Sequence, residues 1–374
     1  MLADGDNELL VDLESKESAA TFIKTIKVRE FITLKEFLKP CPQTVTDEQG
    51  KRYNNQFVAV LMNKQKVYTD AGFTIAGNQE TGTEERSFLP GSEWLYYKIY
   101  CGTKTADEIL AGPVQSLTEE LLRHKLIDRW FFIRYYDPEF HLRIRFHLPN
   151  TAAIGKVMEL FLRSMKQLEK EGLVWKVQTD TYQREMERYG SKLVEAAEEL
   201  FFTDSKMKLQ FLSLTEGDER EKFRWLWSLR AVDELLNAFD YSMDSKYELM
   251  QQLQLQFAKE FNANKSLFKQ LNQQYNDSRK LIQLAMENPV SETNEIKPLL
   301  AIFEEFKAEQ RRAAQKIIAI GDLSGKQAEL NSLLGSYIHM NLNRLFLSEP
   351  RLHELVVYDI LCSSYRSQFK RKTG

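Results

Sequence analysis

Trp130-Phe-Phe-Ile-Arg-Tyr-Tyr-Asp-Pro-Glu-Phe-His-Leu-Arg-Ile-Arg-Phe-His-Leu148 is the stretch on which the reading of this chain turns. Two apolar and aromatic runs flank Asp137-Pro138-Glu139-Phe140, a turn-forming tetrapeptide, and each alternates with the two-residue period of a strand. The segment therefore predicts a β-hairpin. In its second arm Leu142, Ile144, Phe146 and Leu148 fall on one face, and His141, Arg143, Arg145 and His147 on the other. That polar face is wholly basic. From the first arm, Trp130, Phe132, Arg134 and Tyr136 are expected to wall it. Two readings stand at this level: a solvent-facing edge strand whose charge prevents unwanted pairing, or a cationic, aromatic-lined face that grips a carboxylate through paired guanidinium hydrogen bonds.

Outward from the hairpin, residues 94–101 form an apolar and aromatic strand and residues 117–126 a helix. From residue 152 the pattern turns helical, with apolar residues at three- and four-residue spacing over 154–171, 192–201, 218–239, 249–271, 295–319 and 323–346. The Gln- and Asn-rich helix around 250–274 reads as amphipathic and solvated. The first ninety residues differ: 8–13 and 56–63 suit strands and 15–26 a helix, followed by a polar stretch, 76–92, that lacks apolar periodicity and reads as a linker. The fold class is α+β. A small β-rich N-terminal part, residues 1–90, precedes a mixed domain, 91–374, in which an antiparallel hairpin or sheet is packed by several long helices.

Composition bounds the function. The 374 residues, 43% hydrophobic and 28% charged, can bury a large core, and a net charge of −3 gives no overall attraction to nucleic acid. The N-terminus has no signal-peptide pattern and no stretch approaches the roughly 20 apolar residues of a membrane span, so a cytoplasmic location is the default expectation. Cys41, Cys101 and Cys362 lack the paired spacing of a zinc or iron–sulfur site. Nucleophile-elbow, phosphate-loop, dinucleotide and zinc-helix motifs are absent, which favours chemistry built from arginines and a histidine over covalent, nucleotide-dependent or metal-dependent mechanisms.

Near the C-terminus helical spacing aligns Ser332, Ser336, His339 and Asn343 on one stripe, opposite Leu334, Ile338, Leu342 and Leu345. Helix faces elsewhere in the chain are dense with Lys and Glu, so an uncharged stripe carrying one imidazole suggests a sheltered pocket. A satisfied structural histidine and a proton-moving one remain the two readings of His339. In residues 182–190, Arg184 and Arg188 stand one turn apart and Glu185 can pair with Arg188, a pattern common on plain surfaces. The basic residues 366–372 read as a solvated terminus.

In this order the strings Trp94-Leu-Tyr-Tyr-Lys-Ile-Tyr100, Trp130-Phe-Phe-Ile-Arg-Tyr135 with Asp137-Pro138, His141-Leu-Arg-Ile-Arg145, Glu187-Arg188-Tyr189-Gly190, Ser336-Tyr-Ile-His339-Met340 and Asn343-Arg344 resemble the C-terminal domain of lantibiotic dehydratases and thiopeptide-type biosynthesis proteins. Asp4-Gly-Asp-Asn-Glu-Leu-Leu10 and Tyr53-Asn-Asn-Gln-Phe-Val-Ala59 resemble the last segment of the same family's glutamylation domain. The resemblance implies elimination of glutamate from glutamylated Ser or Thr of a ribosomal precursor peptide. In it His339 is the general base or acid, Arg145 and Arg188 stabilise developing charge, and Arg143 helps bind the glutamyl group. Arg134 is a weaker addition to that group, Asn343 a further substrate contact, and Arg184 the competitor of Arg188.

No cofactor is implied, since glutamyl-tRNA would serve the glutamylation domain, most of which this chain lacks; a shortened form or a split gene is the expectation. Expected partners are the glutamylated peptide, a separate glutamylation domain or protein and a cyclase, with no nucleic acid, and a homodimer is carried over from the family. Two rivals stand beside this reading. One is a pyridine synthase of the same domain type, which joins two dehydroalanines; the other is a non-catalytic module that binds acidic peptides.

Overall fold

The computed structural model of the chain describes residues 1–4, 7–27, 31–35, 48, 84–287 and 290–372. It divides into two compact units, Met1–Asn78 and Gln79–Gly374. In the first, β1 (Leu2–Asp4), β2 (Asn7–Leu9) and β3 (Thr33–Leu34) pair antiparallel in the order β2-β1-β3, and α1 (Lys16–Ile26) lies between β2 and β3 in the chain. Ser15 caps α1, its hydroxyl accepting from the Ser18 amide at 3.3 Å, as an N-cap serine does. The strand expected over 56–63, the motif at 53–59 and Cys41 lie outside the described residues.

The second unit begins with β4 (Ser87–Phe88), β5 (Trp94–Cys101) and α2 (Thr105–Ile109), which a wider turn through Pro113 joins to α3 (Gln115–Arg123). The hairpin follows as β6 (Arg129–Tyr136) and β7 (Phe140–His147), then α4 (Ile154–Lys170), β8 (Val174–Asp180), β9 (Tyr182–Gln183) and the single-turn α5 (Met186–Tyr189). The rest is helical: α6 (Val194–Ser213), α7 (Gly217–Ala238), α8 (Met243–Glu260), α9 (Lys265–Asp277), α10 (Arg279–Ala285), α11 (Lys297–Ile320), α12 (Gln327–Leu345) and α13 (Pro350–Lys372). The α+β class is as the sequence predicts.

Three differences have local causes. The helix expected over 249–271 is two, because Asn262 takes a left-handed φ of 47° and Asn264 caps α9. The basic terminus is the end of α13, where Arg366 donates to the Tyr247 hydroxyl at 3.1 Å. The described part of the expected linker is also structured: β4 pairs with β9, and Phe88 is buried against the Tyr182 ring, so one apolar residue suffices to anchor a polar stretch.

An antiparallel sheet in the order β6-β7-β5-β8 carries the hairpin. The β6–β7 pairing runs Phe131↔Arg145, Ile133↔Arg143 and Tyr135↔His141. β5 continues those rows with Tyr96, Lys98 and Tyr100, and β8 with Asp180, Gln178 and Lys176. The opposite face holds Phe132, Ile144 and Tyr97 with their neighbours Trp130, Phe146, Leu142 and Ile99, all buried, and Tyr97 stacks on Phe161 of α4 with ring centroids 3.8 Å apart. Burial of each such side chain contributes about 1.5–3 kcal/mol, which is why this apolar row rather than the basic one seats the sheet.

This register corrects one expectation. Trp130, Phe132 and Arg134 lie on the apolar face, and the residues that wall the basic row from β6 are Phe131, Ile133 and Tyr135. A sheet edge has unpaired backbone groups, and that of β6 is closed by helix side chains. The Phe132 amide donates to the Ser205 hydroxyl at 3.3 Å, and its carbonyl accepts from Arg344 Nε at 2.8 Å. The Asn343 amide group completes both backbone bonds of Arg134, at 3.2 and 3.0 Å.

Candidate active site

Arg145 stands mid-strand on the basic row and is 7% exposed. Its guanidinium carbon lies 4.5 Å from the centroid of the Tyr96 ring, 4.8 Å from that of Tyr182 and 5.2 Å from that of Phe131. Its Nε has no hydrogen-bond partner, and among the described residues no carboxylate pairs with it. Buried cations are normally paired, because the charge has left water. Here three aromatic faces supply the compensation, leaving the guanidinium edge open to an incoming anion.

The other members of the row are more committed. His141 Nδ1–H donates to the Glu139 carbonyl at 2.9 Å, and its Nε2 accepts from Arg143 Nε at 3.0 Å. Burial, with Arg143 and Lys98 close by, holds its pKa below the usual histidine range, so it serves as a neutral prop for Arg143. His147 binds Asp128 at 2.6 Å through Nδ1 and Arg129 at 3.2 Å through Nε2. Neither histidine has a ring nitrogen to spare. Arg143 lies over the Tyr135 ring at 3.3 Å and, among the described residues, also lacks a carboxylate.

A small cavity of about 30 Å³ opens at Arg145 and is bounded by Phe131, Tyr182, Glu185, Tyr189 and Met340. That is the space of about one water, enough for a carboxylate oxygen but not for a whole side chain. Its walls bring α5 and α12 to the sheet. Arg188 lies between Glu185 and Tyr189 on α5; its side chain is 34% exposed, and it meets Glu185 at 3.4 Å. Gly190 ends α5 with a φ of +82°, a left-handed turn in which any other residue would be strained. Arg184 is otherwise engaged: Glu198 holds it at 2.7 and 2.8 Å, and its Nη1 donates to the Glu85 carbonyl at 3.2 Å.

His339 immediately precedes the cavity-lining Met340 on α12 and is half-buried. Its Nδ1–H donates to Glu354 Oε1 at 2.7 Å, and the Tyr358 hydroxyl donates to the other oxygen at 3.1 Å. A carboxylate on Nδ1 fixes the tautomer and leaves the Nε2 lone pair free, the arrangement of a general base. Burial beside Glu354 pushes the Tyr358 hydroxyl well above its ordinary pKa, so it remains the donor in that bond.

Of the predicted site residues, Arg145 lines this cavity, Arg143 is next in its row, and Arg188 and His339 are the chain neighbours of the lining residues Tyr189 and Met340. The structure separates Arg134, Arg184 and Asn343 from it. Arg134 is 3% exposed on the opposite face of the sheet, bound to Asp107 at 2.6 Å and to the Arg344 carbonyl at 3.0 Å. Asn343 spends its amide on the β6 edge.

Glu354, Tyr96 and Tyr182 were missed. Glu354 left one signal, an acidic residue inside the apolar run Leu352 to Tyr358. The two tyrosines join Arg145 only through strand pairing and ring packing. Cys101 and Cys362 are no alternative nucleophiles, since burial pushes both thiols up to about 12. Among the described residues no three His, Cys, Asp or Glu side chains converge on a possible metal position.

Comparison with known proteins gives a consistent result. Residues 94–365 match the family described as lantibiotic biosynthesis dehydratase, C-terminal part. The chain is 23% identical to the subtilin biosynthesis protein SpaB of Bacillus subtilis over 384 residues, 100% of this chain and 35% of that protein. It is 24% identical to the nisin biosynthesis protein NisB of Lactococcus lactis subsp. lactis over 371 residues, 96% of this chain and 34% of that protein. The chain therefore spans about a third of these relatives. In fold it is similar to the tRNA-dependent lantibiotic dehydratase MibB from Microbispora sp. 107891, with a TM-score of 0.60 and 20% identity over 76% of this chain and 29% of that one. It is also similar to the pyridine synthase TbtD from thiomuracin biosynthesis, with a TM-score of 0.50 and 13% identity over 74% of this chain and 98% of that one.

Proposed function

Because this chain belongs to the lantibiotic biosynthesis dehydratase family by its match to the C-terminal part, we propose that it acts in the dehydration of a precursor peptide, by eliminating glutamate from glutamylated Ser or Thr. The observation that carries the reading is Arg145, a buried guanidinium that no carboxylate of the described residues pairs, at a cavity bordered by the α5 and α12 elements. A cation kept unpaired at a cost in stability suits a site that must receive an anion.

In this mechanism the glutamyl carboxylate is held by Arg145 and Arg143, with Arg188 at the rim. His339 Nε2 takes the α-proton of the esterified Ser or Thr while Glu354 stabilises the imidazolium through Nδ1–H. The electrons of the broken C–H bond form the Cα=Cβ bond, the Cβ–O bond breaks, and glutamate leaves as a carboxylate onto the arginines. The product is dehydroalanine or dehydrobutyrine. No step requires a cofactor, and glutamylation itself lies outside this proposal.

The test is mass spectrometry of a chemically glutamylated Ser peptide incubated with the chain, beside His339→Ala and Arg145→Met. Loss of glutamate in the wild type alone supports elimination. An unchanged ester, with ring closure of a peptide bearing two dehydroalanines, would instead assign the pyridine-forming reaction; binding without turnover of either would leave a peptide-binding module.

A further inference from the structure

The two edges of the sheet are treated differently. That of β6 is closed by Ser205, Asn343 and Arg344, whereas among the described residues no strand or helix side chain bonds the outer edge of β8. The direction of its free groups follows from the closed edge. Phe132 and Arg134 point their backbone outward, so in an antiparallel sheet Phe131 and Ile133 bond β7, Leu142 and Ile144 of β7 bond β5, and Tyr96 and Lys98 of β5 bond Asp180 and Gln178 of β8. Val177 and Thr179 are thereby left with N–H and C=O groups facing away from the sheet.

The side chains at this edge are also unprotected. Val177, Trp175 at the start of the strand and Leu173 just before it are apolar and 40%, 54% and 40% exposed. The edge holds no proline, and its one register irregularity is at its start, where Trp175 is the extra residue between Val174 and Lys176 opposite Cys101 and Tyr100, so Val177 and Thr179 form its regular part.

We propose that the open edge of β8 docks an extended segment of the peptide substrate as an added strand, with apolar side chains covering Val177 and Trp175. This rests on the function proposed above. Its occupant is chosen by continuity with the candidate site: the second row of β8, Lys176, Gln178 and Asp180, shares the sheet face with Arg143 and Arg145. β8 also leads within two residues to Tyr182, whose ring packs on Arg145. A strand added here lies three strand spacings from β7, about 14 Å, a gap that roughly four extended residues span. Backbone pairing would supply affinity without reading sequence, and these apolar side chains would add a preference for hydrophobic residues on one side of the modified Ser or Thr.

The test compares a glutamylated peptide of about twelve residues with a blocked single glutamyl-serine, using the full chain. Val177→Pro removes an outward amide while leaving the β5 ladder intact, as edge prolines do; Trp175→Ser removes only the apolar contact. The expected result is a KM for the long peptide raised about tenfold or more in both variants, with the glutamyl-serine unaffected, and slowed hydrogen exchange at Val177 and Thr179 when the peptide is present. Equal KM values and unprotected amides in an active enzyme would overturn the docking. Protection that appears without peptide and grows with protein concentration would also overturn it, assigning the edge to a second copy. Peptide-dependent protection in a chain that eliminates neither substrate would uphold the docking and refute the elimination.

Discussion

Arg145 and Arg134 lie on adjacent strands, are buried to a similar degree, and are assigned opposite roles, so replacing each with methionine separates function from structure. At Arg145 the substitution removes three cation–ring contacts, about 0.5–2 kcal/mol each, and also relieves the desolvation of an unpaired cation, which costs several kcal/mol. Methionine fills similar space with no charge to solvate. The two terms nearly cancel, and Arg145→Met is expected to unfold within about 1 kcal/mol of the wild type. Arg134→Met breaks the 2.6 Å bond to Asp107 and the bond to the Arg344 carbonyl, leaving buried acceptors short of a donor. That is expected to destabilise by about 3–5 kcal/mol, on the order of 10 °C in Tm. Elimination should respond in reverse: at least about 100-fold loss of kcat for Arg145→Met, the scale for one donor to a developing anion, and near-normal kcat for the folded fraction of Arg134→Met. Urea titrations with single-turnover mass spectrometry measure both. Equal destabilisation by the two substitutions, or full activity in Arg145→Met, would refute the argument.

Three further outcomes follow from the geometry. Asn343→Ala should lower stability by about 1–3 kcal/mol, because it strands both backbone groups of Arg134 at a partly buried edge, and faster hydrogen exchange at the Arg134 amide would locate the loss. Glu354→Gln should leave KM for the glutamylated peptide unchanged, lower kcat about 10–100-fold, and shift the acidic limb of the kcat pH profile, which a general base sets, whereas a purely structural Glu354 would change Tm and not that profile. Stability should fall on acidification below about pH 6.5: burial, reinforced by Arg143 and Lys98, depresses the folded pKa of His141, and burial and Arg224 depress that of His353. The folded state then binds fewer protons than the unfolded, so these contributions are complete above the usual histidine value and are lost as pH drops through the folded one. His141→Gln should flatten the Tm slope between pH 7.5 and 5.5, and an unaltered slope counts against the assignment.

The α+β class, the hairpin, most helix frames and the basic row on β7 follow from residue spacing alone, because alternation and 3.6-residue periodicity are local. Tertiary structure decided which side chains share a face across strands. Pairing of Tyr136 with Phe140 leaves a three-residue loop, so odd-numbered residues of β6 face odd-numbered residues of β7, and Arg134 crosses to the core. It also decided which arginines are free. Arg134 finds Asp107, Arg184 finds Glu198 and Arg145, among the described residues, finds rings and no carboxylate, through contacts whose partners lie up to tens of residues away in the chain. Local sequence sets where a charge points; whether it meets a counter-charge depends on segments that only folding brings together.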